Sequence, residues 1–139
     1  MWSRSYSTTV KGLKANQVWK VWTDVNRWHT WQDDIDYAKL DGEFKSGTIF
    51  RFKPKGAPKI NIELTKVEPN SVFIDLTRFP LAKMYDSHEL IDRGDELEIK
   101  TTISVDGPLS FVWRKLVAEN IVDGLKDQTQ RLIDKVRNV

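Results

Sequence analysis

The sequence predicts an α+β fold: a seven-stranded, curved antiparallel sheet wrapped around one long C-terminal helix, with two short helices after the first strand. Three observations carry the prediction. Residues 110–137 contain no proline and repeat their apolar side chains at helical spacing. The middle of the chain is a series of short runs of strand character separated by turn residues. Between them and the first strand, the tryptophan-rich stretch 15–31 changes to a helical period.

Taken in order, residues 2–10 alternate Trp2, Arg4, Tyr6, Thr8 and Val10 against serines and threonines, a period of two that suits a strand. After Gly12, Val18, Trp19 and Trp22 stand at helical spacing, then Val25, Trp28 and Trp31 follow three apart. These predict two short helices, roughly 15–23 and 25–31, each too short to persist without docking. Strands follow at 35–40, 47–52, 59–67, 72–79, 82–91 and 96–105. The punctuation between them is Asp41-Gly42, the PKGAPK segment 54–59, Glu68-Pro69-Asn70-Ser71, Pro80, and Asp92-Arg93-Gly94-Asp95. Short strands and short turns make an antiparallel meander. Gly107-Pro108 ends it, and Ser110 is the candidate N-cap of the long helix, with Trp113 three residues on, so no capping box is expected.

At 1.5 Å per residue that helix is roughly 40 Å long, enough to span a small domain. Ala118, Ile121, Leu125, Leu132 and Val136 fall on one line, flanked by Val117, Val122, Gln128, Thr129 and Ile133. The opposite face carries Glu119, Asp123, Lys126, Asp127, Gln130, Asp134 and Arg137. One face is for water, and the sheet must cover the other.

The length of 139 residues suits a single domain, residues 1–139, able to bury about two thirds of its unfolded surface. Its 22 basic and 20 acidic residues are interspersed, so the basic pI near 8.8 marks no nucleic-acid patch. Without cysteine there is no disulfide, thiol nucleophile or thiolate metal site. The N-terminus lacks an apolar targeting segment and no run approaches ~18 apolar residues, so a soluble, cytoplasmic protein without stable membrane insertion is expected. A homodimer through a sheet edge or an aromatic surface has no support in the sequence. Six tryptophans, six phenylalanines and three tyrosines are a heavy aromatic load, able to fill a core or to line an apolar ligand cavity.

Strand parity assigns faces. With Arg93-Gly94 as a two-residue loop, Leu90, His88, Asp86 and Met84 stand opposite Leu97, Ile99, Thr101 and Ile103, looking inward. Carried back through Pro80 and Pro69-Asn70, the register sets Asp75 and Thr77 beside Met84 and Asp86. Ile60, Ile62, Leu64, Phe50 and Phe52 turn to the same side. Val72, Ile74 and Leu76 then point outward, an uncomfortable place for apolar side chains.

The segments VWTDVNRWHTWQDDIDYAKLDGEFKSGT, FKPKGAP, VEPNSVFIDLTRFPLAKMYDSHEL and ISVDGPLSF resemble the bacterial polyketide cyclase and dehydrase-like group. That group belongs to the superfamily of START lipid-transfer domains, the birch-pollen allergen and the activators of the Hsp90 ATPase. The landmarks are Trp19, Thr23, Asp24 and Trp28, the Leu-Asp-Gly hairpin, the Pro-Lys-Gly loop and the final Gly-Pro-Leu. They cover nearly the whole chain and specify fold far better than chemistry. The resemblance implies a helix-grip fold, with a cavity between the long helix and the concave sheet and the short helices near its mouth.

On that frame the candidate ligand-binding residues are Trp28, Trp31, Phe50, Phe52, Asp75, Thr77, Met84, His88, Thr101, Trp113, Arg114, Asn120 and Gly124. His88 beside Asp86 is the candidate acid/base pair, since an inward histidine near a carboxylate has a tunable pKa; the plainer reading gives it one structural hydrogen bond. Asp75 and Asp86 could pair for proton transfer or hold a cation, although the plainer reading puts at least one of them in solvent. Arg51, Lys66, Arg78 and Tyr85 are further candidates for the cavity border. Gly124 either leaves room for a ligand or allows close packing against a ring.

No phosphate loop, zinc-protease motif or nucleophile elbow is present, and two histidines without cysteine give no reason to expect a metal or cofactor. The leading reading is therefore a binding protein for an apolar or aromatic small molecule, lipid-like or polyketide-like. Two rivals stand beside it. One is a cyclase or dehydratase using His88 with Asp86 or Asp75; the other is a protein-interaction module like the Hsp90 activators.

Overall fold

The computed structural model describes residues 1–138. Strand β1 (Trp2–Lys11) is followed by helix α1 (Ala15–Thr23) and a 3₁₀ helix, Val25–Thr30. Then come β2 (Ile35–Lys39), β3 (Ile49–Pro54), β4 (Ile60–Glu68), β5 (Val72–Phe79), β6 (Ala82–Asp92) and β7 (Glu96–Asp106). The C-terminal helix, α2, spans residues 110–137 as three continuous segments: Ser110–Trp113, a π-helical turn at Arg114–Ala118, and Glu119–Arg137. The seven strands form one antiparallel sheet in the order β1-β7-β6-β5-β4-β3-β2. β1 thus forms one edge beside β7 and β2 forms the other, and the expected helix-grip arrangement is present.

Local chemistry accounts for the short helices. The Lys14 backbone N–H donates to Gln17 Oε1 at 2.8 Å, closing the first turn of α1. Val18, Val21 and Trp22 form its buried face. The next element is 3₁₀ rather than α, as the three-residue spacing of Val25, Trp28 and Trp31 suits, because residues three apart eclipse in that geometry. Trp28 Nε1 donates to the Trp22 carbonyl at 3.0 Å, and Asn26 exchanges hydrogen bonds of 3.1 and 2.9 Å with the Leu40 backbone. The first bond joins the two short helices, and the second pair ties the 3₁₀ helix to the end of β2.

The hairpins correct the expected registers without changing the faces. The β6–β7 loop is centred on Gly94-Asp95, so Leu90 faces Ile99 and His88 faces Thr101. Each pair has slid by two residues, which preserves side, and Gly94 at φ +87° occupies the left-handed position that such a loop requires. The β4–β5 loop is one residue longer than expected, with Asn70 at φ +64°, but a bulge between Leu64 and Lys66 absorbs the extra residue. Leu64 therefore pairs with Asp75, and across the β5–β6 turn Asp75 pairs with Asp86 and Thr77 with Met84. On the convex face Val72 and Ile74 are half-buried, and Leu76 is buried between the cross-strand positions of Glu63 and Tyr85.

The core divides along α2. Leu132, Ile133 and Val136 pack with α1, the 3₁₀ helix and the inward residues of β3–β7. Ala118 and Leu125 pack with Ala82, Met84, Ile103 and Val105. Ser110 does not cap α2: Leu109 occupies the N-cap position and no side chain caps it. The chain turns into α2 at Gly107, φ +116°, whose backbone lies so close to the β5–β6 turn that a Cβ would stand 2.7 Å from the Leu81 carbonyl oxygen. Only glycine fits there.

Candidate functional site

A cavity of about 770 Å³ lies between α2 and the concave face of the sheet. Its walls are mainly aromatic and aliphatic: Trp22, Trp28, Trp31, Phe52, Phe73, Phe79 and Trp113, with Ile60, Ile62, Met84, Val117 and Ile121. The rim is marked by the exposed lining residues Asp34, Lys55 and Pro58 on one side and Leu116, Asn120 and Gly124 of α2 on the other. Gln128 Nε2 donates to Gln32 Oε1 at 3.1 Å, and Arg131 meets Asp33 at 3.2 Å, tying α2 to the segment after the 3₁₀ helix. Trp113 stacks on Phe79 with ring centroids 4.5 Å apart and donates its Nε1–H to the Pro80 carbonyl at 2.9 Å.

All the side chains expected to touch a ligand line this cavity except Phe50 and Arg114. Phe50 is fully buried in the core, edge-to-face with Trp28 at 5.4 Å. Arg114 fails for a helical reason. In an unbroken α-helix it would continue the line of Leu125 and Ala118, but a π turn inserts one extra residue and rotates everything before it. The turn at Arg114–Ala118 brings Trp113 inward instead, leaves Phe111 59% exposed, and points Arg114 toward Glu119 at 3.5 Å. Arg51, Lys66, Arg78 and Tyr85 also lie off the cavity; Arg78 pairs with Glu63 at 2.7 Å. Parity reasoning overlooked Phe73, which faces inward because β5 alternates across the sheet, and the rim loop 54–59, whose prolines give no periodic signal.

The polar part of the cavity is a cluster on β5 and β6. Asp75 and Asp86 are cross-strand partners, and His88 follows Asp86 on the same face. The expectation that one of the two carboxylates faces solvent fails, because both line the cavity and Asp75 is buried. His88 Nε2 stands 3.0 Å from Asp86 Oδ1 and 3.7 Å from Asp75 Oδ2. The 3.0 Å contact is poorly aligned for a hydrogen bond, and Asp86 Oδ1 is sealed from solvent. The imidazole stacks on Phe73, centroids 4.3 Å apart and planes within 17°, and meets Trp22 edge-on at 5.6 Å.

Burial, and then the charge of Asp86, push the Asp75 carboxyl up to about 7 against the pull of His88. Burial works to lower the His88 imidazole, but the Asp86 charge and the contacts to both carboxylates outweigh it and raise it to about 10. Around neutral pH the cluster can therefore hold an imidazolium between two carboxyls, one of which shares its proton with solvent.

A hypothetical protein of Helicobacter pylori has a similar structure, with TM-score 0.76 and 18% identity over 96% of this chain and 87% of that one. A START superfamily protein from Mycobacterium smegmatis gives 0.72 at 14% identity, covering 98% of this chain and 97% of that one. Norcoclaurine synthase from Thalictrum flavum, solved in complex with dopamine and hydroxybenzaldehyde, gives 0.69 at 13% identity, covering 97% and 86%. At such identities these likenesses show the fold. No curated protein matches the sequence, and among the described residues no helix is long and apolar enough to cross a membrane. A family model described as polyketide cyclase / dehydrase and lipid transport matches residues 1–137, and the chain belongs to that family.

Proposed function

We propose that this chain binds a small, largely apolar or aromatic molecule in the cavity beneath α2, with the ligand's polar end directed to Asp75, Asp86 and His88. The supporting observation is the cavity: about 770 Å³, within the size range of small-molecule sites, with aromatic walls and one sequestered polar cluster. A chain built only for stability would fill that space, since unfilled volume in a core is destabilising. The family description, with its lipid transport and polyketide chemistry, fits an apolar occupant.

Native mass spectrometry and thermal-shift screening against fatty acids, flavonoids and polyketides test the reading. Uniform silence would overturn it. Gly124 makes the test specific, because it lines the cavity and a Cβ there meets nothing within 4 Å. Gly124→Leu is expected to stabilise the free protein by roughly 0.5–1 kcal/mol through helix propensity. The same side chain narrows the mouth, so ligand-induced stabilisation should shrink or vanish. A variant that binds as well as the parent would move the ligand elsewhere.

A catalytic reading has one observation in its favour, an imidazole held beside two carboxyls in the cavity wall. In a cyclisation or dehydration the walls would fold a flexible substrate and His88 would move a proton. Norcoclaurine synthase indicates that this fold can carry synthesis. Turnover of a polyketide-like substrate that His88→Ala abolishes, with ligand binding retained, is the expected result of that reading; equal product from both proteins would remove His88 from it. The interaction-module reading has less behind it. Leu81, Phe111 and Leu116 are more than half exposed near the start of α2, and nothing indicates what would cover them.

A further inference from the structure

The contact between His88 and Asp86 has an unusual geometry. A nitrogen and a carboxylate oxygen 3.0 Å apart ordinarily share a well-aligned proton, yet here Nε2 and the buried Asp86 Oδ1 are poorly aligned. Asp75 Oδ2 stands 3.7 Å from the same nitrogen, beyond hydrogen-bond reach, on a side chain only 9% exposed. One donor atom from each of the three residues lies within 4.8 Å of the other two. Tetrahedral ligands at bond lengths of ~2.0–2.1 Å are separated by roughly 3.3–3.4 Å. The two distances from Nε2 bracket that edge.

Charge is compatible with a cation between the three residues. The other charged residues lining the cavity are Asp34 and Lys55, both exposed at the rim, where their backbones are hydrogen-bonded and their charges offset each other. Behind them, two carboxylates face one imidazole among aromatic walls. Protons on His88 and Asp75 offset the charge of the metal-free cluster, and a dication that displaces them leaves two carboxylates and a neutral imidazole, again a neutral assembly.

We propose that Asp75, Asp86 and His88 form a binding site for one divalent transition-metal ion of the zinc class, with a coordination position open to the cavity. One imidazole nitrogen and two carboxylate oxygens suit zinc and its first-row neighbours. Magnesium and calcium are poorly served, since they require six or more oxygen ligands. Stacking on Phe73 fixes the orientation of the imidazole, the role that supporting contacts play around metal ligands. Three protein ligands leave a fourth position, and because all three line the cavity, that position faces any molecule within it. The proposal stands independently of whether an organic ligand is bound.

Chelator-treated protein titrated with Co²⁺ provides the test. One equivalent is expected to bind, with visible absorption bands of a low-coordinate ion, and Zn²⁺ should displace it and raise the melting temperature while Mg²⁺ does not. Asp86→Asn and His88→Gln keep the side-chain volume and should each weaken Zn²⁺ binding at least about 100-fold, as measured by competition with a chromophoric chelator. His29→Ala, on the exposed surface, should leave it unchanged. Should His88→Gln fold poorly, Asp86→Asn alone decides. Absence of Co²⁺ bands in folded protein, unchanged affinity in Asp86→Asn, or loss of binding in His29→Ala would each overturn the proposal.

Discussion

Phe73→Ala is expected to destabilise the protein by about 3–5 kcal/mol, a large part of the stability of an ordinary domain. Phe73 is 1% exposed and sits at the centre of the contacts between α1, Phe44 and β6. Its ring meets Trp19 at 6.2 Å, Trp22 at 5.3 Å and Phe44 at 5.1 Å, all edge-to-face, and carries the stacked His88 imidazole on its other side. Removing it deletes both the surface on which α1 docks and the support of the polar cluster. The Trp28 hydrogen bond to the Trp22 carbonyl holds the end of α1, which limits how far its backbone can shift into the gap. Urea unfolding should show a midpoint lowered in proportion, and the melting temperature should fall by roughly 10 °C or more. A loss below about 1.5 kcal/mol would mean that α1 and the sheet repack without this ring. Tryptophan fluorescence gives a second reading, since Trp19 and Trp22 would enter a looser environment while Trp113, stacked on Phe79, would not.

The parts legible in the sequence are those where one physical signal dominates. Apolar periodicity located α2 and every strand, because a half-buried element must repeat at its own period. Inward residues of β5 and β6 were also legible, although the turn geometry behind them was not. The β6–β7 loop slipped by an even number of residues, and the longer β4–β5 loop was cancelled by the bulge near Thr65. Parity survives both events, while pairing partners do not. The π turn is different in kind. Nothing in RKLVA distinguishes it from ordinary α-helix, so Arg114, placed inward by straight 100° steps, lies off the cavity, while Trp113, expected there too, lines it. A π turn is decided by tertiary demand, here the docking of Trp113 on Phe79 and Pro80. Convergence of Asp75, Asp86 and His88 was foreseeable from parity; the misalignment within their contact required coordinates.

The metal-free protein should lose stability as pH rises from neutral to alkaline, and His88 should be the main cause. Below the ordinary carboxyl value of 3.8 the folded and unfolded chains both hold the Asp75 proton. From there up to about 7 only the folded chain holds it, so each rise in pH favours unfolding. His88 repeats the pattern higher: between 6.5 and about 10 the folded chain keeps a proton that the unfolded chain has released. Both raised values act with the same sign, and the contribution of the cluster is greatest in acid and is lost as pH passes through the folded-state values. The charged groups facing His88 are Asp75 on β5 and Asp86 on its own strand, while Trp22 and Phe73 supply uncharged surfaces. Glu98, which accepts a hydrogen bond from Arg93 and is held below the usual carboxylate range, titrates well outside this window. With chelator present, urea unfolding at about pH 7 and about pH 9 should differ by on the order of 2 kcal/mol in the parent protein. In His88→Gln, which has no proton to release, most of that difference should disappear. If the variant loses stability just as steeply, the imidazole is not held protonated by the two carboxyls, and the alkaline loss belongs to other groups.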